Sequence, residues 1–368
     1  MFKRIKIHIT KILLARSGRA GRLADARDFR GGAERALDSG AVEGDFISNA
    51  MPKKADYSDD LLRLVSTLYH VDGLGQSEIM SLMRISQTKI SRILAVAQER
   101  GIVRVSVDRY EARNAKLEHE VCARYGLETA AVVKTPQNAT ADTVRQAVGH
   151  FGVPFVFELL PEIGTLAMGG GRSVAEVVSR FRKSLARHLT IAQAMGNIDS
   201  NITPVDALEL CRTLGKLWSC EFLTLSTPAF VEDKKTRDSF LASAQIRMVR
   251  ARLKQADAAL VGVGALDYSV YIDRGVLLPD DIAQLRKQGA VGEICGRFFN
   301  VKGKECATRW RDRVISIEVE HLRKIPQVIG VAAGAERAPA IAAAIAGGLL
   351  RSLLIDEAAA QALLALPA

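Results

Sequence analysis

The sequence predicts an α/β chain in two parts, a small helical unit followed by a larger domain in which short strands alternate with helices. Three observations predict it. Between residues 59 and 100 apolar residues recur at helical spacing in short runs broken by turn residues. Beyond residue 126 brief apolar runs alternate with helical patterns, as a parallel sheet requires. The length, 368 residues, suits two domains better than one.

Composition narrows the class. With 48% hydrophobic and 25% charged residues the chain can fill a core and cover it, which excludes bulk disorder and collagen-like structure. No window holds the roughly 18 uncharged apolar residues of a membrane-spanning helix, so no membrane partner is expected. The five cysteines, Cys122, Cys211, Cys220, Cys295 and Cys306, are scattered without metal-site spacing. A reduced, cytoplasmic protein without metal or cofactor is expected. The net charge of +10 divides as 10 basic against 6 acidic residues over 1–50, 9 against 7 over 51–110, and 32 against 28 beyond. No segment is a basic tail, so any argument for nucleic acid must rest on particular side chains.

Residues 1–50 show no sustained period. Met51-Pro52 is followed at once by Lys53, Lys54 and a helix start, so 1–50 is expected to be a disordered or untranslated extension. From Asp59 to His70, Leu61, Leu62, Leu64, Val65, Leu68 and Tyr69 predict a first helix, stopped by Asp72-Gly73. A second is expected from Gln76 to Met83 with Ile79, Leu82 and Met83 inward, and a third from a Ser86 cap to Arg100. The alternation over 102–107 predicts a strand, the wing of a winged helix-turn-helix that occupies 51–109. Residues 110–125 read as a charged linker helix. In 126–368 strands are expected at 129–133, 165–168, 189–194, 222–225, 258–263, 314–317, 328–332 and 349–355, a Rossmann-like α/β arrangement.

Two constellations carry chemistry. In the third helix Ile90, Ile93, Leu94 and Ala97 share one face, and Gln87, Thr88, Lys89, Ser91 and Arg92 share the other, beside Ser86. An amide and a guanidinium can pair with base edges in double-stranded DNA, while hydroxyls and cations take phosphates. An ordinary solvated helix would show the same amphipathicity; three helices, a tight turn and the wing favour DNA. The second constellation is Gly169-Gly170-Gly171-Arg172-Ser173, after a predicted strand and before a helix at Val174. Glycines there let backbone N–H groups approach an anion, and Arg172 and Ser173 add a cation and a hydroxyl. It is neither a Walker motif nor a dinucleotide fingerprint. Other turns at strand ends contribute Gln193, Asn197, Asp267, Arg274, Glu293 (in Gly289–Glu293) and Arg337. Open α/β sheets bind ligands at such ends, with carboxylates suited to sugar hydroxyls and arginines to phosphate.

The segment "LLRLVSTLYHVDGLGQSEIMSLMRISQTKISRILAVAQERGIVRVSV" resembles the amino-terminal domain of SorC/DeoR-type bacterial transcriptional regulators. Gly75 departs from the hydroxyl residue usual in that family at the start of helix two. The resemblance continues through "TLAMGGGRS", "ADAALVGVGAL", "GAVGEICGRFFN" and "IPQVIGVAAGAERAPAIAAAI" over roughly residues 58–366. It implies an effector domain like the sugar-phosphate isomerase and glucosamine-phosphate deaminase fold, binding a phosphorylated sugar or polyol that controls DNA affinity. It maps Gly170 to Ser173 to the phosphate loop, and Arg274, Glu293 and Arg337 to effector contacts. Arg337 stands where many members have Lys, and Ser173 where Thr is usual. It also implies a homotetramer or homodimer, and "GHFGVPFV" is similar to regulators of erythritol-type catabolism. The rival reading is a sugar-phosphate isomerase or deaminase. Asp267 and Glu293 are its possible bases, since every histidine lies away from the glycine turns in sequence. A helix-turn-helix would be superfluous to such an enzyme, so a regulator without catalytic residues is the expected function.

Overall fold

The computed structural model describes residues 57–106, 108 and 110–367, and forms two compact units that divide after Ser106. The expected extension over 1–50 and the start at Met51 lie outside the described residues.

The described residues of the first unit form three helices, α1 (Asp59–His70), α2 (Gln76–Met83) and α3 (Gln87–Glu99). Each start is satisfied locally. Ser58 and Ser86 accept N–H groups from Leu61 and Lys89, and Glu78 reaches back to the Gly75 N–H at 2.7 Å. Arg84, at φ 55°, turns α2 into α3. Leu62, Val65, Ile79, Ile90, Ile93 and Ala97 are fully buried together. Two expectations fail. Leu82 is 64% exposed, because Ile79 and Met83, four residues apart, span the short helix's inner face. The expected wing strand is not formed over 102–106: Ile102 and Val103 fold back so that both N–H groups meet the Ala97 carbonyl, and among the described residues of this unit no second strand offers a ladder partner.

The second unit is built on a seven-stranded sheet, entirely parallel in its pairings, of β1 (Thr129–Val133), β2 (Ile163–Met168), β3 (His188–Gln193), β4 (Phe222–Leu223), β5 (Ala258–Gly262), β9 (Gln327–Val331) and β10 (Ser352–Asp356). A three-stranded antiparallel sheet comprises β6 (Gly264–Ala265), β7 (Ala290–Ile294) and β8 (Arg297–Asn300). Helices cover both faces of the large sheet, so its strands are apolar at successive positions while their side chains still alternate. Ala130, Ala259, Val261, Leu353 and Ile355 enter one buried cluster; Ala131, Ala258, Leu260 and Leu354 enter the other.

Two readings are corrected here. The helix expected as a linker, α4 (Ala115–Tyr125), belongs to this unit: Val121 is fully buried, and the Tyr125 hydroxyl donates to the Leu363 carbonyl at 2.6 Å. Residues 314–317 form isolated bridges to Met195 and Phe230 rather than a strand, because their neighbours are irregular segments with no continuous edge to pair with.

Two further helices position the site, α5 (Ala141–Leu159) and the short α6 (Arg172–Val178). Gly149 brings them together: a β-carbon there would stand 2.6 Å from the backbone of Glu176, so only glycine admits this approach. Strand order sets the rest. The sheet runs β1-β10-β9-β5-β2-β3-β4, so the chain leaves β2 toward β3 and β4 and then returns to β5 on β2's other side. The connections diverge between β2 and β5, and the crevice at those carboxyl ends is where an open α/β sheet takes a ligand.

Candidate functional site

The turn after β2 lies in that crevice. Gly169 donates its N–H to the Leu260 carbonyl at 2.9 Å, and Gly171 donates to Val205 at 2.8 Å. A β-carbon on Gly262 would meet the Gly170 carbonyl at 3.2 Å, so the two strand ends touch through glycines. The helix opens at Arg172, two residues earlier than expected, and has only seven residues. Two turns make a modest dipole; the site's positive character comes from side chains.

Three arginines supply it. Arg145 (from α5), Arg172 and Arg337 all line the cleft with Gly170, Gly171 and Ser173. Arg172 donates to the Tyr268 carbonyl at 2.8 Å and to Asp273 at 3.2 Å. Arg337 is nine-tenths buried and held by Glu336 and the Ala333 carbonyl. Burial is the main force pulling its proton affinity down, opposed by Glu336 and reinforced by the charges of Arg172 and Arg145. Cations gathered against their mutual repulsion make an anion-binding environment. The cleft encloses about 70 Å³, room for several waters or the head group of a ligand whose remainder reaches solvent.

The floor is polar and buried. β7 and β8 are joined by Cys295 and Gly296, both at positive φ, the conformation of a two-residue hairpin turn. Glu293 therefore sits in a strand rather than in the expected turn at a strand end. Its glycine-rich surroundings serve close packing: a β-carbon on Gly264 would stand 2.1 Å from the Glu293 carboxylate, and one on Gly292 would strike Ala340. Glu293 accepts the Gly296 N–H at 2.9 Å, and the Tyr271 hydroxyl lies 3.4 Å away. Burial pushes its carboxyl up to about 7, against the pull of Gly296, Tyr271 and Arg337. Cys295, also on the wall, is pushed up to about 12 by burial and by Glu293, so it stays a thiol.

The structure thus brings together Gly170, Gly171, Arg172, Ser173, Glu293 and Arg337, and places four other expected residues off the cleft wall. Gln193 is fully buried, bonded to Met195, Asn197 and Leu225, and holds the segment behind the cleft. Asn197 lines a separate hollow with Asp199 and Thr227. Asp267 turns outward to Arg286. Arg274 is engaged by Asp206 through two nitrogens, at 3.0 and 2.8 Å, and by Asp199 at 3.4 Å. Each of the four meets a protein partner that answers its polarity, which is why a strand-end position alone did not make it a cleft residue. Arg274 instead anchors the loop that carries Asp206 and Val205 against the glycine turn. Arg274→Ala is expected to lower unfolding stability by about 2 kcal/mol, because buried Asp206 keeps only its Thr203 bonds. Urea denaturation of the variant checks this.

In the first unit Gln87, Thr88, Lys89, Ser91 and Arg92 are all exposed along α3. Ser86, also exposed, accepts the Lys89 N–H at 3.3 Å and remains free to donate its own hydrogen. Among the described residues no cluster of His, Cys, Asp and Glu is placed to hold a metal ion, and no helix is long and apolar enough to cross a membrane.

The profile of the sugar-binding domain family, Sugar-bind, matches residues 110–365. The chain belongs to the sugar-binding domain family. Among relatives of this sugar-binding domain protein is the transcriptional regulator LsrR of Enterobacter sp. strain 638, 27% identical over 317 residues, covering 84% of this chain and 94% of LsrR. The erythritol catabolism regulatory protein EryD of Brucella abortus strain 2308 is 24% identical over 316 residues, covering 85% and 99%. The crystal structure of the full-length sorbitol operon regulator SorC from Klebsiella pneumoniae has the same fold, with TM-score 0.67 and 23% identity over 84% of this chain and 99% of that one. Each of these relatives is named as a regulator. The match begins at residue 110, so the family profile includes α4, in keeping with its packing.

Among the wall residues of the sugar-binding domain that sequence reasoning missed are Arg145, Asp206, Tyr268 and Tyr271. Arg145 lies in the first turns of a helix with no local motif, and only the α5–α6 packing brings it to the glycine turn. Asp206 had a signal: an aspartate at a helix start after Pro204 and Val205, whose carboxylate accepts the Thr203 N–H.

Proposed function

We propose that the chain is a cytoplasmic, DNA-binding transcriptional regulator of a carbohydrate or polyol catabolic operon, controlled by a phosphorylated sugar or polyol. The observation that carries this reading is the convergence of Arg145, Arg172 and Arg337 on the Gly170–Ser173 turn of a sugar-binding domain. Phosphate would lie among the arginines, Ser173 and the glycine backbone. The floor carboxylate of Glu293 would take ligand hydroxyls. Gln87, Thr88, Lys89, Ser91 and Arg92, beside Ser86, would meet operator DNA, Arg92 and Gln87 at base edges and the rest at phosphates. The names of LsrR, EryD and SorC, which match over both parts of the chain, support this assignment. A homodimer or homotetramer would set two α3 helices in successive major grooves, about 34 Å apart, on a pseudo-palindromic operator. Effector would act by its differential affinity for DNA-competent and DNA-incompetent states.

The test is fluorescence-anisotropy titration of the full chain against DNA from upstream of its own gene, with and without a panel of sugar and polyol phosphates. Sequence-specific binding altered by a phosphorylated compound is expected. Salt-sensitive binding to any DNA, unmoved by every compound, overturns the reading. Arg92→Ala is expected to weaken operator binding by roughly 10- to 100-fold, the value of one bidentate base contact, with effector affinity unchanged. Loss of effector binding in the same variant would contradict the division of labour between the units.

A further inference from the structure

Three guanidiniums meet at the cleft, each from a separate element. Arg172 and Arg337 adjoin the glycine turn and the strand end directly. Arg145 is brought in from α5 by the glycine contact at Gly149, with its side chain only 14% exposed. Each arginine also has a carboxylate partner: Asp142 for Arg145, Asp273 for Arg172 and Glu336 for Arg337. In all three pairs the acid is the more exposed member. Asp142 is 78% exposed and Asp273 58%, against 14% and 34% for their arginines. The carboxylates are screened by water, whereas the guanidiniums meet at the cleft, where screening is weaker.

We infer that Arg145 is a specificity-determining residue that sets the charge of the effector, selecting a dianionic phosphomonoester over a monoanionic carboxylate of the same carbon skeleton. The inference rests on the phosphate reading above and deepens it. A phosphomonoester carries nearly two charges at neutral pH and three acceptor oxygens, enough to engage three guanidiniums at once. A carboxylate has two oxygens and one charge, and two arginines satisfy it. The third cation therefore favours the phosphate alone. Its contribution depends on charge rather than on the planar fork, because Asp142 already occupies part of the Arg145 guanidinium.

The test compares glycerol 3-phosphate, glycerate and glycerol by isothermal titration of the full chain and of Arg145→Gln and Arg145→Lys, with thermal unfolding midpoints as a folding control. Wild type is expected to bind in the order phosphate, carboxylate, neutral. Arg145→Gln should weaken glycerol 3-phosphate by roughly 10-fold or more while moving glycerate by less than about 3-fold. Arg145→Lys should restore most of the difference. Equal losses for both anions, or an unaffected glycerol 3-phosphate affinity, would overturn the role of Arg145 while leaving the phosphate site standing. A wild-type protein that binds glycerol 3-phosphate no better than glycerol would overturn the phosphate reading, and the inference with it. A failure of Arg145→Lys to rescue would assign the loss to structure rather than to charge.

Discussion

Arg337→Ala is expected to weaken binding of the phosphorylated effector by roughly 100-fold, two charge-assisted hydrogen bonds' worth at a desolvated site. Arg337 is the most buried of the three cleft arginines, so its field is the least screened. Removing it leaves Glu336 partly exposed and able to rehydrate, so the fold should change little. The ligand-free variant should bind operator DNA with wild-type affinity and no longer respond to effector. Arg337→Lys should keep much of the affinity, since a point charge still serves phosphate. Titration calorimetry with the effector, followed by anisotropy with and without it, checks all three. Unchanged effector affinity in Arg337→Ala would move the phosphate elsewhere in the molecule.

The second large effect is a pH dependence of stability that originates in Glu293. Its carboxyl is held near 7 in the folded protein, against about 4.3 for a glutamate in an unfolded chain. A raised acid pKa means that the native state binds the extra proton. Between these two values the unfolded state has already ionised while the folded one has not, so stability falls as pH rises. The full difference is about 4 kcal/mol and is complete above roughly pH 8. Glu293→Gln has no such transition, and its amide still accepts the Gly296 N–H. Relative to wild type, it should therefore gain about 3 kcal/mol in urea unfolding between about pH 5 and about pH 8. Parallel pH profiles for the two proteins would show that Glu293 ionises freely in the native state.

The division of the site into readable and unreadable parts follows from how each residue reaches it. Gly170 to Ser173 were legible because strand, glycines and helix are consecutive, and one local pattern expresses the whole turn. α1 and α2 were legible to the residue, because Ser58 and Gly75 start them and the turns after His70 and Met83 stop them. β7 was not. Gly289 before it and Gly292 within it suggested a turn, whereas Gly292 serves close packing against Ala340 inside a strand. The wing failed for the opposite reason: alternation was present over 102–107, but a strand is a property of pairs. Arg274 and Asp267 illustrate a third limit. Sequence shows that a charge is present near a strand end, and only the folded chain shows that Asp206 or Arg286 already answers it. Arg145 shows the converse, a plain helical arginine whose importance derives from a glycine one turn later.

The crevice between β2 and β5 draws its walls from stretches far apart along the chain: Arg145, the turn at 170–173, Met195 to Ala207, Gly262 to Tyr271, the hairpin at Glu293 and Cys295, and Arg337. A molecule seated there would act as a noncovalent cross-link among six segments of the chain. Any local opening of one segment would then have to break contacts with a shared guest, which couples such openings into one larger and rarer fluctuation. Occupancy would therefore be felt as slowed amide exchange across the whole carboxyl edge of the sheet, including backbone that never touches the guest. Affinity and rigidity are in this way two readings of one quantity, the conformational freedom that the segments surrender together.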